Sequence, residues 1–426
     1  MQLSCYSTGK MRVVNPGVYL RQQQSTEARR AGLRRRRIRI TLAVLVAVYG
    51  IGVVAVRPVY SPEMSEFSIG QEEPAYSWPS SGSAALFYEG DDRLPSESVR
   101  PDEQRPSAST IKLLTALVVL EKKPYAEFGD EPIPINETDQ DIYATIVAQG
   151  GSAIFVPTGA SLSYRQALEA LLVASANNIA DKLASWAYGT RGAFFDAAKQ
   201  YSALHGLSRT IMSDPSGYAT DTVTSARDML KIASLADENE TIRSIVAEKS
   251  VVIPPETSIS NTNQLLGVDE IDGMKTGTTD AAGAGLVASR TLVRSGSSFR
   301  LLSVVLGQPL RADADAVSLQ LLREFADNFR DTTIVGDTQP VGYFEAPWGE
   351  RTDIFVAKPV TAVRYIGTLS SARFEIKPLK GIATNQKAGT FMIDGVTQDL
   401  VVHDELPVAP LHWRFTHGLD FYRDLL

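Results

Sequence analysis

The sequence predicts a mixed α/β (α+β) fold in two folded parts, and three observations carry that reading. Apolar strand-like runs stand at both ends of a long region, at 83–88, 285–289 and 299–306, while between them 108–121 and most of 163–236 repeat with helical spacing. Strands on the two sides of a helical block argue for layering, with the first strand joining the last ones in one antiparallel sheet. After about residue 331 the texture becomes short strands punctuated by turns, the pattern of a small all-β domain.

Taken in order, residues 1–28 are polar and irregular and are assigned no fold. Seven arginines between Arg29 and Arg39 precede an uncharged 17-residue run at 40–56, and only Arg57 follows it. That run sits at the short end of a membrane span. The basic flank predicts a single-pass anchor in the cell membrane, with the N-terminus cytoplasmic and the body extracytoplasmic. A cleaved signal peptide is the rival; the long leader and the want of a clear Ala-x-Ala site favour an uncleaved anchor. The expected division is a leader at 1–39, the anchor at 40–56, a spacer at 57–80, the α/β domain at 81–330, the β domain at 331–412 and an amphipathic tail at 413–426. Strand 83–88 ends in the turn signal Glu89-Gly90-Asp91-Asp92. Helices are expected at 108–121, 163–174, 178–188, 194–204, 225–236 and 311–329, with 124–160 read as short strands and loops. Further strands are expected at 249–253, 341–343, 353–356, 363–366, 373–376, 389–393 and 399–402. In the tail, Leu411, Phe415, Leu419, Tyr422 and Leu426 share a helical face, which suits docking on its own domain better than lying in a membrane.

The 426 residues carry a formal charge of −7, but residues 1–57 hold eleven Lys/Arg and one acid. The remainder has 31 basic and 48 acidic residues, a net −17, which argues against a nucleic-acid partner. The only cysteine is Cys5, in the leader, so the exported part is expected to have neither a disulfide nor a thiol nucleophile. Four histidines without His-x-x-x-His spacing make a metal site a poor reading, and no cofactor is expected.

The 108–121 helix is apolar nearly all round, as buried helices are, yet its first turn carries Ser109 and Lys112. Residues three apart share a helix face, and burial drives an amine toward its neutral form. A neutral amine beside a hydroxyl is a base beside a nucleophile. A serine N-cap followed by a lysine that snorkels to solvent explains this stretch alone at least as well, and Ser7-Thr8-Gly9-Lys10 repeats the spacing in the leader. Two other groups change the balance. Ser175-Ala176-Asn177 stands in a break between helices, and Lys275-Thr276-Gly277 stands beside a late strand; each occurs once in the chain. Alone, the first reads as helix caps and the second as a charged strand edge.

The ordered set Ser-x-x-Lys, Ser-x-Asn and Lys-Thr-Gly is the signature of penicillin-binding proteins and class A β-lactamases. Beyond the triplet, the chain resembles the S11 family of D-alanyl-D-alanine carboxypeptidases, the low-molecular-mass penicillin-binding proteins. The similar stretches are 108–121, 171–184 (LLVASANNIADKLA), 205–217 (HGLSRTIMSDPSG), 225–233, 261–266 and 272–289 (DGMKTGTTDAAGAGLVAS). The resemblance covers roughly 83–330 and, more loosely, 331–410. It implies a β-lactamase/transpeptidase-like three-layer domain, with an antiparallel sheet and a helical cluster. It also implies a wall-peptidase activity on peptidoglycan stem peptides ending in D-Ala-D-Ala, with β-lactams as covalent inhibitors.

By the same resemblance Ser109 is the nucleophile, Lys112 its base and Ser175 a proton relay. Asn177, Lys275, Thr276, Gly277 and Thr278 are then substrate-binding, with the N–H groups of Ser109 and Thr278 as oxyanion donors. Thr278 stands where the family often has His, and Arg311 is the candidate for its carboxylate-binding arginine. A β-lactamase is the runner-up, disfavoured because no Glu-x-x-Leu-Asn stretch lies between Asn177 and Lys275. A non-catalytic wall-binding protein is the third reading, and the intact motif residues argue against it.

Overall fold

The computed structural model describes residues 16–70, 72–89, 96–255, 257–379, 387–405 and 407–423. Ser7-Thr8-Gly9-Lys10, Cys5, Leu426 and the turn expected at Gly90 to Asp92 lie outside the described residues. The chain divides into two compact units, one of Gly70–Thr332 with Val363–Leu369, the other of Met1–Ile69, Thr333–Ala362 and Ser370–Leu426.

The larger unit is built on an antiparallel sheet whose strands run in the order Ile271–Thr279, Gly283–Arg294, Ser297–Gln308, Ser83–Tyr88 and Glu97–Val99. The first strand thus lies beside the last ones, as the layering argument requires. Side chains of successive strand residues point to opposite faces, and both faces are buried here. Ala85, Val287 and Val304 face one core, shared with Leu113, Leu114, Ala167, Leu171, Ile179 and Leu230 of the helical cluster. Ala84, Leu86, Leu286 and Val305 face a second core, closed by Leu321, Leu322 and Phe325 of the Arg311–Asp327 helix and by Phe329 just beyond it. The result is three layers: helical cluster, sheet, helix. Burial on both faces is why these strands read as continuous apolar runs.

Besides Arg311–Asp327, four of the expected helices have close counterparts, at Tyr164–Leu172, Asn177–Tyr188, Arg191–Leu204 and Ala226–Glu238. Polar residues start three of them: the side chains of Ser163, Thr190 and Ser225 accept the free N–H groups of Gln166, Ala193 and Asp228. The reading of 124–160 as strands and loops needs correction. It contains a twelve-residue helix, Glu137–Ala148, opened by a reciprocal capping box between Asn136 and Asp139. None of its residues is buried, so it offered no apolar stripe to read. A short helix, Glu240–Val246, was also not anticipated; it starts at the Asn239 cap.

In the other unit six strands pair antiparallel in the order Ser61–Met64, Gly342–Glu345, Arg351–Val356, Val396–Val402, Lys387–Ile393 and Arg373–Ile376. Phe344, Ile354, Phe391, Leu400 and Val402 form its core. Ser61–Met64 and Ser68–Ile69 come from the stretch read as a spacer and pair with Gly342–Glu345 and Ser370–Ser371 respectively. Residues 16–28, read as irregular, belong to one helix, Pro16–Ala55, continuous with the apolar run. Ala, Arg, Gln and Glu dominate 21–37 and propagate a helix well, and no proline interrupts it, although Gly32 costs about 1 kcal/mol. Its Gln24–Ala55 portion is long and apolar enough to cross a membrane. The tail forms two short helices, Leu411–His417 and Asp420–Arg423, and Tyr422 Oη donates to the Val48 carbonyl at 2.6 Å.

Candidate active site

The expected helix at 108–121 is two pieces. Ala108–Ile111 is a 3₁₀ turn, and the α-helix proper is Lys112–Lys122. Ser109 therefore sits in the tight turn, and Lys112 opens the helix. The turn is held from both sides. Ser107 N–H donates to the Thr222 carbonyl at 3.0 Å, and Thr110 Oγ1 donates to the Ser107 carbonyl at 2.6 Å. Ala108 takes φ +45, a left-handed conformation that costs an L-residue about 1 kcal/mol or more.

From Leu113 to Leu120 every helix residue is buried, which locks the first turn in place. Lys112 is 0% exposed, so it does not snorkel. Its Nζ lies 2.7 Å from Ser109 Oγ, 2.7 Å from Asn177 Oδ1 and 2.9 Å from the Ser216 carbonyl. Burial pushes the amine down to about 7, against the opposing pull of the Asp214 and Asp181 carboxylates. A neutral amine has two N–H bonds and one lone pair. Asn177 Oδ1 and the Ser216 carbonyl can only accept, so they take the two N–H bonds. The lone pair is then left to the Ser109 hydroxyl, which donates. This arrangement can remove the Ser109 proton as the oxygen attacks a carbonyl.

Asn177 is the first residue of its helix and is 5% exposed; its N–H donates to the Ser152 carbonyl at 2.8 Å. Ser175 lies in the break before it, 5% exposed, with φ +59. Ser175 is not one of the three partners of Lys112. Two strained non-glycine residues thus precede the site residues, Ala108 directly before Ser109 and Ser175 two positions before Asn177. Such strain persists where the surrounding structure over-determines it.

Lys275, Thr276 and Gly277 lie within Ile271–Thr279, the edge strand of the sheet, and Lys275 and Thr276 are buried. Burial, then the Lys112 and Arg311 charges, hold the Lys275 amine well below the usual lysine range. Thr276 Oγ1 lies 2.8 Å from Thr262 Oγ1, and the Thr262 carbonyl accepts from the Arg311 guanidinium. Arg311 is further held by Asp315, at 3.2 Å. Gly277 is where strand and turn meet: a Cβ there would lie 2.9 Å from the backbone nitrogens of both Ser109 and Thr110. Thr278 is exposed at the strand's end.

The sequence reading gave no role to Ser216 or Asp214, which lie in Asp214-Pro215-Ser216-Gly217. The signal was present as a Pro-Ser-Gly turn, but a contribution made by a backbone carbonyl leaves no side-chain signature. A cavity of about 380 Å³ opens beside this turn, lined by Asn177, Asp181, Arg191, Asp214, Ser216 and Tyr218 among others. Burial raises the Asp181 carboxyl to about 6, against the pull of Arg191.

Comparisons with known proteins give the family and the fold. The Peptidase_S11 family model, described as D-alanyl-D-alanine carboxypeptidase, matches residues 97–309, half of the chain. The D-alanyl-D-alanine carboxypeptidase DacA of Escherichia coli K12 is 27% identical over 330 residues, covering 72% of this chain and 79% of that protein. A D-alanyl-D-alanine endopeptidase of Pseudomonas aeruginosa is 32% identical over 206 residues, covering 46% and 63%. In three dimensions the chain is similar to DacD from Francisella tularensis, with TM-score 0.56, 22% identity and coverage of 80% of this chain and 97% of that one. Penicillin-binding protein 5 from Haemophilus influenzae gives TM-score 0.55, 23% identity and coverage of 79% and 99%. The fold class is theirs, and the chain belongs to the S11 family of D-alanyl-D-alanine carboxypeptidases, serine peptidases that are hydrolases.

Proposed function

We propose that the chain removes the terminal D-alanine of peptidoglycan stem peptides through an acyl-enzyme on Ser109. The observation that carries this reading is the buried Lys112 Nζ, shared among Ser109 Oγ, Asn177 Oδ1 and the Ser216 carbonyl. Ser109 Oγ attacks the carbonyl between the two D-alanines and passes its proton to Lys112. The oxyanion is held by the N–H groups of Ser109 and Thr278, where one donor is worth about 10²–10³ in rate. The proton returns to the leaving D-alanine amine with Ser175 as relay, the C–N bond breaks, and water then hydrolyses the ester. Asn177 orients Lys112 and the substrate amide. Lys275, Thr276 and Arg311 bind the terminal carboxylate, whose negative charge favours the charged form of Lys275. Gly277 admits the close approach of strand and turn. A β-lactam presents its ring carbonyl to the same oxygen; its leaving nitrogen stays tethered, so the adduct persists.

The apolar Gln24–Ala55 helix is a candidate anchor. We read it as a single-pass span with the basic leader in the cytoplasm and the peptidase unit outside, where its substrate lies.

The test is D-alanine release from a stem-pentapeptide mimic by the detergent-solubilised full chain. Release that Ser109→Ala abolishes is expected. A protein that neither releases D-alanine nor takes up penicillin is not this enzyme.

A further inference from the structure

We propose that Asp214 is a positioning residue for the general base: it holds the 214–219 turn so that the Ser216 carbonyl is aimed at Lys112 Nζ. The proposal rests on the base role given to Lys112 above. Ser216 has only one feature of use to Lys112, its backbone oxygen at 2.9 Å, and a backbone oxygen points where its turn points. Asp214 fixes that turn from inside. Its Oδ1 accepts from Ser216 N–H at 2.8 Å and from Ser216 Oγ at 2.6 Å, and its Oδ2 accepts from Ala219 N–H at 2.9 Å. Ser216 Oγ in turn accepts from Tyr218 N–H at 3.2 Å.

The neighbours fix the turn from outside. Thr115 Oγ1, one turn along the helix from Lys112, donates to the Pro215 carbonyl at 2.6 Å. Thr222 Oγ1 accepts from Asp214 N–H at 3.1 Å. Gly217 takes φ +77, and any Cβ there would run into the Ala108 carbonyl, so the turn seats directly against the Ser109 turn. A carboxylate accepting charge-assisted bonds from three donors is a strong local clamp.

The clamp matters because of the hydrogen-bond count at Lys112. If the Ser216 carbonyl swings away, one amine N–H loses its acceptor. The amine can then turn that N–H toward Ser109, and the lone pair no longer faces the hydroxyl. The groups that face Lys112 and carry or can carry charge are Asp214 on this turn, Asp181 on the Asn177–Tyr188 helix and Lys275 on the edge strand. Asp214 therefore has a second effect: its charge favours the protonated amine.

The two effects separate in two variants of the full chain, followed by stopped-flow acylation with a fluorescent penicillin across pH. Parent acylation is the first arm; its absence would count against the base and nucleophile reading, not against Asp214. Asp214→Ala should lower the limiting acylation rate about 10–10²-fold, as small misplacements of reacting groups do, while the non-covalent penicillin affinity stays near the parent's. Asp214→Asn keeps an oxygen for Ser216 and removes the charge. It should recover most of the limiting rate and move the acid limb of the profile to lower pH, because the Lys112 amine loses a charge that favours its proton. A merely structural Asp214 would lower the unfolding temperature but leave the acylation rate and acid limb of the folded fraction unchanged. A parent-like limiting rate in Asp214→Ala overturns the proposal. If Asp214→Ala does not fold, Asp214→Ser, too short to hold Ser216 N–H and Ala219 N–H together, takes its place, and a parent-like limiting rate in that variant overturns the proposal.

Discussion

Gly277→Ala probes the contact on which the site is built. Gly277 does not have a positive φ, and alanine in a strand interior is intrinsically better than glycine by up to about 1 kcal/mol. Backbone preference therefore does not oppose the change; sterics do. The new Cβ would lie 2.9 Å from the nitrogens of Ser109 and Thr110 and 3.0 Å from Ala108 Cβ, whereas ordinary contact begins at 3.4 Å. The strand and the turn must part by roughly 0.5 Å. One of those nitrogens carries the N–H assigned to the oxyanion, where a lost donor costs about 10²–10³ in rate and a 1 Å misplacement about 10². Half that displacement should lower the acylation rate about 10–10²-fold, or about 1.4–2.7 kcal/mol. The assay is stopped-flow acylation by a fluorescent penicillin, resolved into affinity and limiting rate, with thermal unfolding as a control. The loss should fall on the limiting rate, in a protein that unfolds within a few degrees of the parent. A limiting rate within about two-fold of the parent's would refute the idea that this close approach sets the oxyanion geometry.

Acylation by penicillin should rise with pH through a single ionisation near the Lys112 value of about 7 and level off above it; a rate still climbing at pH 10 would mean the amine is not held neutral. Arg311→Gln should raise KM for the peptide about 10–10²-fold, the worth of a charge-assisted hydrogen bond, with kcat changed far less; a change confined to kcat would remove Arg311 from carboxylate binding. Lys112→Met should strongly slow acylation yet stabilise the fold near pH 7. The buried amine binds its proton less readily folded, at about 7, than unfolded, at 10.5. The unfolded state therefore holds more protons between those values, and parent stability rises with pH across that window by roughly 3–5 kcal/mol at 1.36 kcal/mol per unit. The difference in unfolding free energy between variant and parent should shrink as pH rises from 7 to 10, and a constant difference would contradict the burial argument.

What the sequence made legible followed from periodicity and punctuation. The sheet strands were readable because burial on both faces leaves near-continuous apolar runs, as at Leu301 to Leu306, where only Ser303 is polar. The helices were readable where a stripe faces the core, as in Leu168, Leu171 and Leu172. Glu137–Ala148 was not, because none of its residues is buried and its one clear mark is the Asn136 cap. Nor were Ser61–Met64 and Ser68–Ile69, since a short strand rich in Ser, Pro and Glu looks like a linker until its pairing partner, some 280 or 300 residues on, is known. In the site, side-chain chemistry was legible and backbone chemistry was not. Ser109, Lys112 and Asn177 were anticipated and meet at one amine. The third acceptor, the Ser216 carbonyl, depends on a turn whose direction is set by Asp214, Thr115 and Thr222, residues spread over more than a hundred positions. The 3₁₀ geometry at Ala108–Ile111 was hidden for the same reason: it depends on Gly217 and Gly277 pressing against that turn.

The central claim is that Ser109 becomes covalently acylated because Lys112 takes its proton. Peptide mapping by mass spectrometry after brief exposure of the full chain to benzylpenicillin tests it most directly. One penicilloyl group should be found on the peptide carrying Ser109, absent in Ser109→Ala and strongly slowed in Lys112→Met. An adduct on any other serine, or labelling at the parent rate in Lys112→Met, would contradict it.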